Sequence, residues 1–309
     1  MNDLIEKNDC TDVVLSDNVK NLIDNTLSEN TKRSYATAFK KFESLGGVLP
    51  CNANQLAEVV ARFEGSAASL GVIIAAVSKA HRILSKPDPT KTELVLNVVK
   101  GYRRAKTTKQ DRAQPLFLED ITRCLSNDAT AGALRDNALL LIGFTTAMRR
   151  SELVSINISD VSIDCDGVHI FLSRSKTDQL SEGHTFLLPE SPSDYRCPVK
   201  ALKKLIQALN NQSIFEGAIF RKISKSGKFL NRLTDQSINL IFKRLATQAN
   251  IDPVKISGHS TRRGAISSLD RANVPRQAIR KLSRHKSDRM IDLYSEDRGG
   301  VKNPFNGII

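Results

Sequence analysis

Four short stretches of this 309-residue chain combine arginine, histidine, lysine and tyrosine at spacings suited to handling an anion. The first, Thr145-Thr-Ala-Met-Arg-Arg-Ser-Glu-Leu153, follows the apolar run Leu139-Leu-Leu-Ile142, which must be buried. An arginine so close to a buried helix is costly to desolvate unless it meets an anionic partner. Glu152, three residues after Arg149, could orient that guanidinium, although an ordinary surface ion pair has the same spacing. The second stretch, Ser173-Arg-Ser-Lys-Thr-Asp178, comes before the strand-like His184-Thr-Phe-Leu-Leu-Pro189. Lys176 at a hairpin tip could reach a DNA groove or protonate a leaving oxygen; most lysines so placed only confer solubility. In the third, Gly258-His-Ser-Thr-Arg-Arg-Gly-Ala265, His259 and Arg262 project from one helical face, and the helix start favours a phosphate. A shared anion would remove the repulsion between a protonated histidine and its arginine; a solvated helix face fits the spacing equally well. The fourth, Leu282-Ser-Arg-His-Lys-Ser-Asp-Arg-Met-Ile-Asp-Leu-Tyr294, separates His285 from Tyr294 by nine residues. Of the four tyrosines, Tyr35, Tyr102, Tyr195 and Tyr294, only the last is flanked by this basic cluster. A core aromatic with its hydroxyl at the surface is the commoner fate of such a residue.

These stretches need elements to position them. Helical patterning starts at Ser28, with Tyr35, Phe39 and Phe42 on one stripe, Lys32, Arg33, Lys40 and Lys41 largely off it, and Gly46-Gly47 as its end. Further helices are expected at about 53–64, 68–84 and 90–105, so residues 28–105 read as a four-helix unit behind a mobile arm, 1–27. The polar, basic stretch from Arg103 to Pro115 reads as a linker, placed at 106–115. The chain reads as mainly α with a small antiparallel β-sheet, the sheet lying in an α+β remainder, 116–309. Helices are expected at about 118–126, 131–146, 197–210, 234–249, 260–272 and 275–283, and strands at Val161–Ile163, Val168–Ser173 and Thr185–Leu188.

Composition narrows the partners. The net charge is +13 with a pI near 9.6, which points to an anionic partner. The surplus is uneven: residues 1–30 are acidic, whereas residues 255–302 hold twelve Lys or Arg against five acids. Cys10, Cys51, Cys124, Cys165 and Cys197 are scattered and form neither a disulfide framework nor a zinc-ligand pattern, so free thiols are expected. No apolar run is long enough for a membrane span, and the acidic N-terminus lacks the zones of a signal peptide. A cytoplasmic location beside the DNA is therefore expected.

Taken in order, Arg with Glu three residues on, a hairpin Lys, His-x-x-Arg, a further His and a Tyr nine residues later resemble the tyrosine recombinase (phage integrase) family. The resemblance covers roughly 118–298 through these motifs and extends to the N-terminal helical unit, which looks like that family's SAM-like core-binding domain. The stretch Ser257-Gly-His-Ser-Thr-Arg-Arg-Gly-Ala265 looks especially Cre-like. On this resemblance Arg149, Lys176, His259, Arg262, His285 and Tyr294 fall on the six catalytic positions, with Glu152 as a supporting acid. The family pattern Thr-Gly-Leu-Arg-x-x-Glu-Leu selects Arg149 over Arg150, with Ala147 and Met148 in place of its Gly and Leu. Arg284 stands where the family commonly has Gly.

The resemblance implies a clamp of two domains on double-stranded DNA. Arg149 and Arg262 would grip the non-bridging oxygens of one phosphate, and Tyr294 would attack it. Because the phenol has a pKa near ~10, it needs a proton acceptor, for which His259 is best placed. Lys176 would protonate the departing 5′ oxygen, and His285 would hydrogen-bond the phosphate. The 3′-phosphotyrosine would store the bond energy, so neither ATP nor metal nor any other cofactor is expected. Recombination would use a homotetramer on two duplexes at a site with inverted repeats, and Lys32, Arg33, Lys40 and Lys41 are candidates for meeting the DNA. The tail with Phe305, Ile308 and Ile309 would dock on a neighbouring protomer, or else pack on its own domain. Two other readings remain: a type IB topoisomerase-like relaxase, and a non-catalytic DNA-binding relative.

Overall fold

The computed structural model describes residues 27–106, 113–173, 183–188, 190–285, 287, 288, 291 and 292. The chain divides into two compact units, Met1–Gln110 and Asp111–Ile309.

Four helices build the first unit. Helix α1 (Glu29–Ser44) starts where the Ser28 side chain accepts the Thr31 N–H and stops at Gly46, whose φ of +84° suits glycine. Helix α2 (Ala53–Arg62) opens on a reciprocal cap, with Asn52 accepting the Gln55 N–H at 2.9 Å and Gln55 accepting the Asn52 N–H at 2.8 Å. Helices α3 (Ala67–Ile83) and α4 (Glu93–Ala105) complete the set. The last helix starts later than its sequence pattern suggests, because Pro89–Lys91 forms a 3-10 turn capped by Asp88. Phe42, Leu56, Val60, Leu70, Val77 and Val95 form the core of this unit, and Tyr35 and Phe39 pack partly against it. The α1 stripe therefore faces inward as its spacing requires, leaving Arg33, Lys40 and Lys41 exposed and Lys32 half-buried.

The second unit is organised around a helix that is apolar on almost every side. Helices α5 (Leu118–Cys124), α6 (Ala131–Thr145) and the short α7 (Arg150–Ser155) lead into a three-stranded antiparallel sheet. In that sheet β2 (Val168–Leu172) pairs with β1 (Val161–Ile163) and β3 (His184–Leu188), opposing Ile170 to Phe186 and Leu172 to His184. Helix α8 (Pro198–Asn210) follows, then a two-stranded hairpin of β4 (Arg221–Ile223) and β5 (Phe229–Arg232). Helices α9 (Asp235–Gln248), α10 (Ser260–Arg271) and α11 (Arg276–Ser283) close the described part. Leu139, Leu140, Leu141 and Ile142 are all buried because α6 packs against α5, α7, α8, α10 and β4.

The arrangement is the expected mainly helical one with small antiparallel sheets. It adds two elements that the sequence pattern did not suggest, α7 and the β4–β5 hairpin. Cys51, Cys124, Cys165 and Cys197 are free thiols, and no described helix is long and apolar enough to cross a membrane. Cys10, the arm and the C-terminal tail with Phe305, Ile308 and Ile309 lie outside the described residues, as does most of the linker stretch.

Candidate active site

After α6 the chain turns sharply at Ala147, which adopts a left-handed φ of +50° and is fully buried. That turn delivers Arg149 as the residue capping α7. Its backbone N–H donates to Glu152 Oε2 at 2.7 Å, and its Nη1 donates to Glu152 Oε1 at 2.8 Å. Glu152 thus orients Arg149 as the spacing suggested, but through a helix cap rather than along one helical face. The carboxylate is only 4% exposed. Burial pushes its pKa up, but Arg284 first, and then the Arg149 N–H and guanidinium, outweigh burial and hold it below the ordinary range.

Helix α10 carries Arg262 in its first turn and fits against the start of this unit without a gap. A Cβ at Gly264 would lie 1.7 Å from the Leu116 carbonyl oxygen, so only glycine allows the approach. Leu116 N–H in turn donates to Ser260 O at 3.0 Å, and Gln114 N–H to Lys255 O at 2.7 Å. Arg262 is 2% exposed. Its Nη1 donates to Ala147 O at 2.5 Å, and its Nη2 reaches Ser283 O at 2.5 Å and His285 Nε2 at 2.8 Å.

A guanidinium can only donate, so His285 Nε2 must accept and its proton must sit on Nδ1. Nδ1 then donates to Ser283 Oγ at 2.9 Å, and that hydroxyl donates to Ile279 O at 2.7 Å. One tautomer is thereby selected. Burial, followed by the charges of Arg262, Arg149 and Arg284, pushes the His285 pKa down to about 4. His259, at the mouth of α10, is exposed and its pKa is also lowered, by desolvation first and then by Arg150, Arg262 and Arg149. Both imidazoles are therefore neutral near pH 7, and His259 is free to take up a proton.

The contacts close on themselves. Arg149 binds Glu152, Glu152 binds Arg284, His285 follows Arg284 and meets Arg262, and Arg262 returns to Ala147, two residues before Arg149. Arg149, Glu152, His259, Arg262 and His285 thus form one constellation, with the charges of Arg149 and Arg262 bearing on both imidazoles. Lys176 and Tyr294 lie outside the described residues. Tyr102 and Tyr195 are engaged elsewhere: their hydroxyls donate to Gly65 O at 2.7 Å and to Leu125 O at 2.9 Å.

Three contributors were not anticipated. Arg150 pairs with Asp235 at 3.3 Å and is the strongest charge acting on His259. Ser283 fixes the His285 tautomer. Arg284 holds Glu152 and lies over the Phe186 ring, 4.6 Å from its centroid. Arg150 had entered the sequence reading only as the rejected alternative to Arg149, and Arg284 as a bulky residue where the resembling family has glycine. Both Glu152 oxygens are engaged by donors, which leaves that carboxylate unsuited to a metal ion.

The family model described as "Phage integrase family" matches residues 116–299. A protein of Selenomonas ruminantium named "Integrase/recombinase xerD homolog" is 31% identical over 91% of this chain and 86% of its own length. Among solved structures, lambda integrase (75–356) as a dimer bound to a COC′ core site superposes with a TM-score of 0.62 at 19% identity, covering 92% of this chain and 94% of that one. A lambda integrase tetramer bound to a Holliday junction gives 0.61 at 19% identity, covering 92% and 76%.

Proposed function

The chain belongs to the phage integrase family, and from that membership we propose that it is a site-specific DNA recombinase using Tyr294 as its nucleophile. It cuts one strand by joining the tyrosine oxygen to a backbone phosphorus, releasing a 5′-hydroxyl, and religates another strand by the reverse step. No ATP is needed, because the phosphotyrosyl ester retains the energy of the broken bond. Four protomers act on two duplexes through a four-way junction, the state in which lambda integrase has been solved.

The single observation that carries this reading is the closed ring of contacts through Arg149, Glu152, Arg284, His285 and Arg262. It gathers three arginines about one carboxylate and His285, with two imidazoles kept neutral by burial and by those charges, a setting to which a phosphate would be drawn. Arg149 and Arg262 stabilise the charge that grows on the pentavalent phosphorus. His259, neutral and exposed, receives the phenol proton. His285 Nε2 is capped by Arg262; when that guanidinium turns to a phosphate, Nε2 can take up a proton, and only the resulting N–H donates to the same group. Lys176 protonates the leaving 5′ oxygen. That Tyr102 and Tyr195 are committed to backbone carbonyls supports Tyr294 as the nucleophile.

The test is a nicked suicide duplex, its sequence selected from a randomised pool by binding to the Tyr294→Phe variant. The expected result is a covalent adduct with wild type, mapped by mass spectrometry to Tyr294, and none with Tyr294→Phe. Binding without an adduct would identify a non-catalytic relative. Relaxation of supercoils by a monomer, without sequence preference, would identify a topoisomerase-like enzyme.

A further inference from the structure

We propose that Arg284 is a positioning residue for strand cutting, anchoring Glu152 and thereby Arg149 on one side while its backbone turn presents His285 to Arg262 on the other. This inference rests on the recombinase reading of the same site. It begins from a local conflict. Arg284 has φ 55° and ψ 45°, a left-handed conformation that glycine adopts freely and that costs any residue with a Cβ. A residue kept there at a conformational disadvantage is explained if its side chain has work that glycine cannot do.

The side chain is not an exposed cation. It is 9% exposed, and burying a guanidinium is unfavourable unless its donors and charge are matched. The charge and two of the nitrogens are matched: Nη2 meets Glu152 Oε2 at 2.5 Å, Nη1 donates to Leu282 O at 3.0 Å, and the cation stacks on Phe186. Phe186 belongs to β3, the strand that follows Lys176 in the chain, so one side chain ties the β3 strand to the turn that bears His285.

Glu152 Oε2 also accepts the Arg149 backbone N–H, while Oε1 takes the Arg149 guanidinium. The carboxylate is thus gripped by two arginines from different elements. With Arg284 removed, it would keep Arg149 as its only guanidinium partner, and the geometry of Arg149 would loosen. The ionisable groups bearing on Glu152 are Arg149 and Arg284, with His184 and His259 within electrostatic reach.

Arg284→Gly separates the two roles, because it relaxes the backbone while deleting the guanidinium. Wild type, Arg284→Gly and Arg284→Lys are compared on the suicide duplex for adduct formation rate at saturating protein and for the pH dependence of that rate. Arg284→Gly is expected to form adduct about 10- to 100-fold more slowly, the scale of an ångström-level displacement of a catalytic group. Arg284 lowers the pKa of both Glu152, which must stay ionised to hold Arg149, and His285, which is kept neutral, so losing that cation moves the acid limb of the profile to higher pH. Arg284→Lys, which keeps the charge, should recover part of the rate and return the limb towards its wild-type position. Equal rates and profiles for wild type and Arg284→Gly would overturn the inference, as would a slow variant with an unmoved limb and no recovery by lysine. A wild-type protein that forms no adduct would remove the recombinase reading and this inference with it, a result distinguishable from either.

Discussion

At the scale of single residues, the site's chemistry depends on which groups are charged and which are kept neutral. Arg149→Ala and Arg262→Ala should each slow adduct formation by about 100- to 1000-fold, the usual effect of losing one preorganised donor. Retained DNA binding in a gel shift would separate that loss from loss of affinity, and near-wild-type rates would remove the phosphate-gripping role. His285 makes a second prediction. Its pKa is about 4 in the folded protein against about 6.5 in an unfolded chain, so between those values the unfolded state holds more protons. Stability should therefore fall as pH drops from about 6.5 towards 4, and His259 and His184, whose pKa values are also lowered, should add to the slope. The melting temperature of His285→Gln followed across that range should decline less steeply than that of wild type. These roles were only partly legible in the sequence. Spacing drew attention to Arg149, Glu152, His259 and Arg262 while leaving an ordinary ion pair or a solvated face open, and it was the order of motifs resembling the family that assigned them and His285. Ser283 was not singled out, and Arg284 was noted only as a departure from the family's glycine, because a carboxylate 132 positions away cannot be seen from a turn.

The elements follow the same division. Long amphipathic or wholly apolar segments, α1 and α6 among them, could be read from their periodicity. The β4–β5 hairpin could not, since strands of three and four residues offer too few alternations to register against the surrounding lysines and serines. Nor could α7, whose six residues are too few to show a repeat although Leu153 and Val154 enter the core and the Glu152 cap starts it. The starkest requirement at this scale is Gly264. Gly264→Ala would press a methyl into the Leu116 carbonyl, so α10 must shift, carrying Arg262 away from Ala147 O and His285. We expect a loss of about 1–3 kcal/mol of stability from the overpacking alone. Denaturant unfolding would measure it, and a disproportionate fall in adduct rate would report the displaced helix. Unchanged stability and rate would show that α10 does not need this close approach.

For the molecule as a whole, a net charge of +13 makes association with an extended anion strongly salt-dependent. If Lys40 and Lys41 on α1 meet DNA phosphates, replacing both with alanine should lower the slope of log affinity against log salt by about 2, with little change in sequence preference. An unchanged slope would show that Lys40 and Lys41 are not among the phosphate contacts. Limited proteolysis with an enzyme that does not favour basic residues is expected to cleave near Gln110 and leave two resistant fragments. The first described residues of the second unit have a mechanical consequence. The chain enters the second unit by hydrogen-bonding at Gln114 and Leu116 to the carbonyls of Lys255 and Ser260, which flank His259. Any shift of residues 114–116 is therefore passed through two backbone hydrogen bonds to the segment that carries His259 and opens α10, which moves as one piece with the unit's first residues.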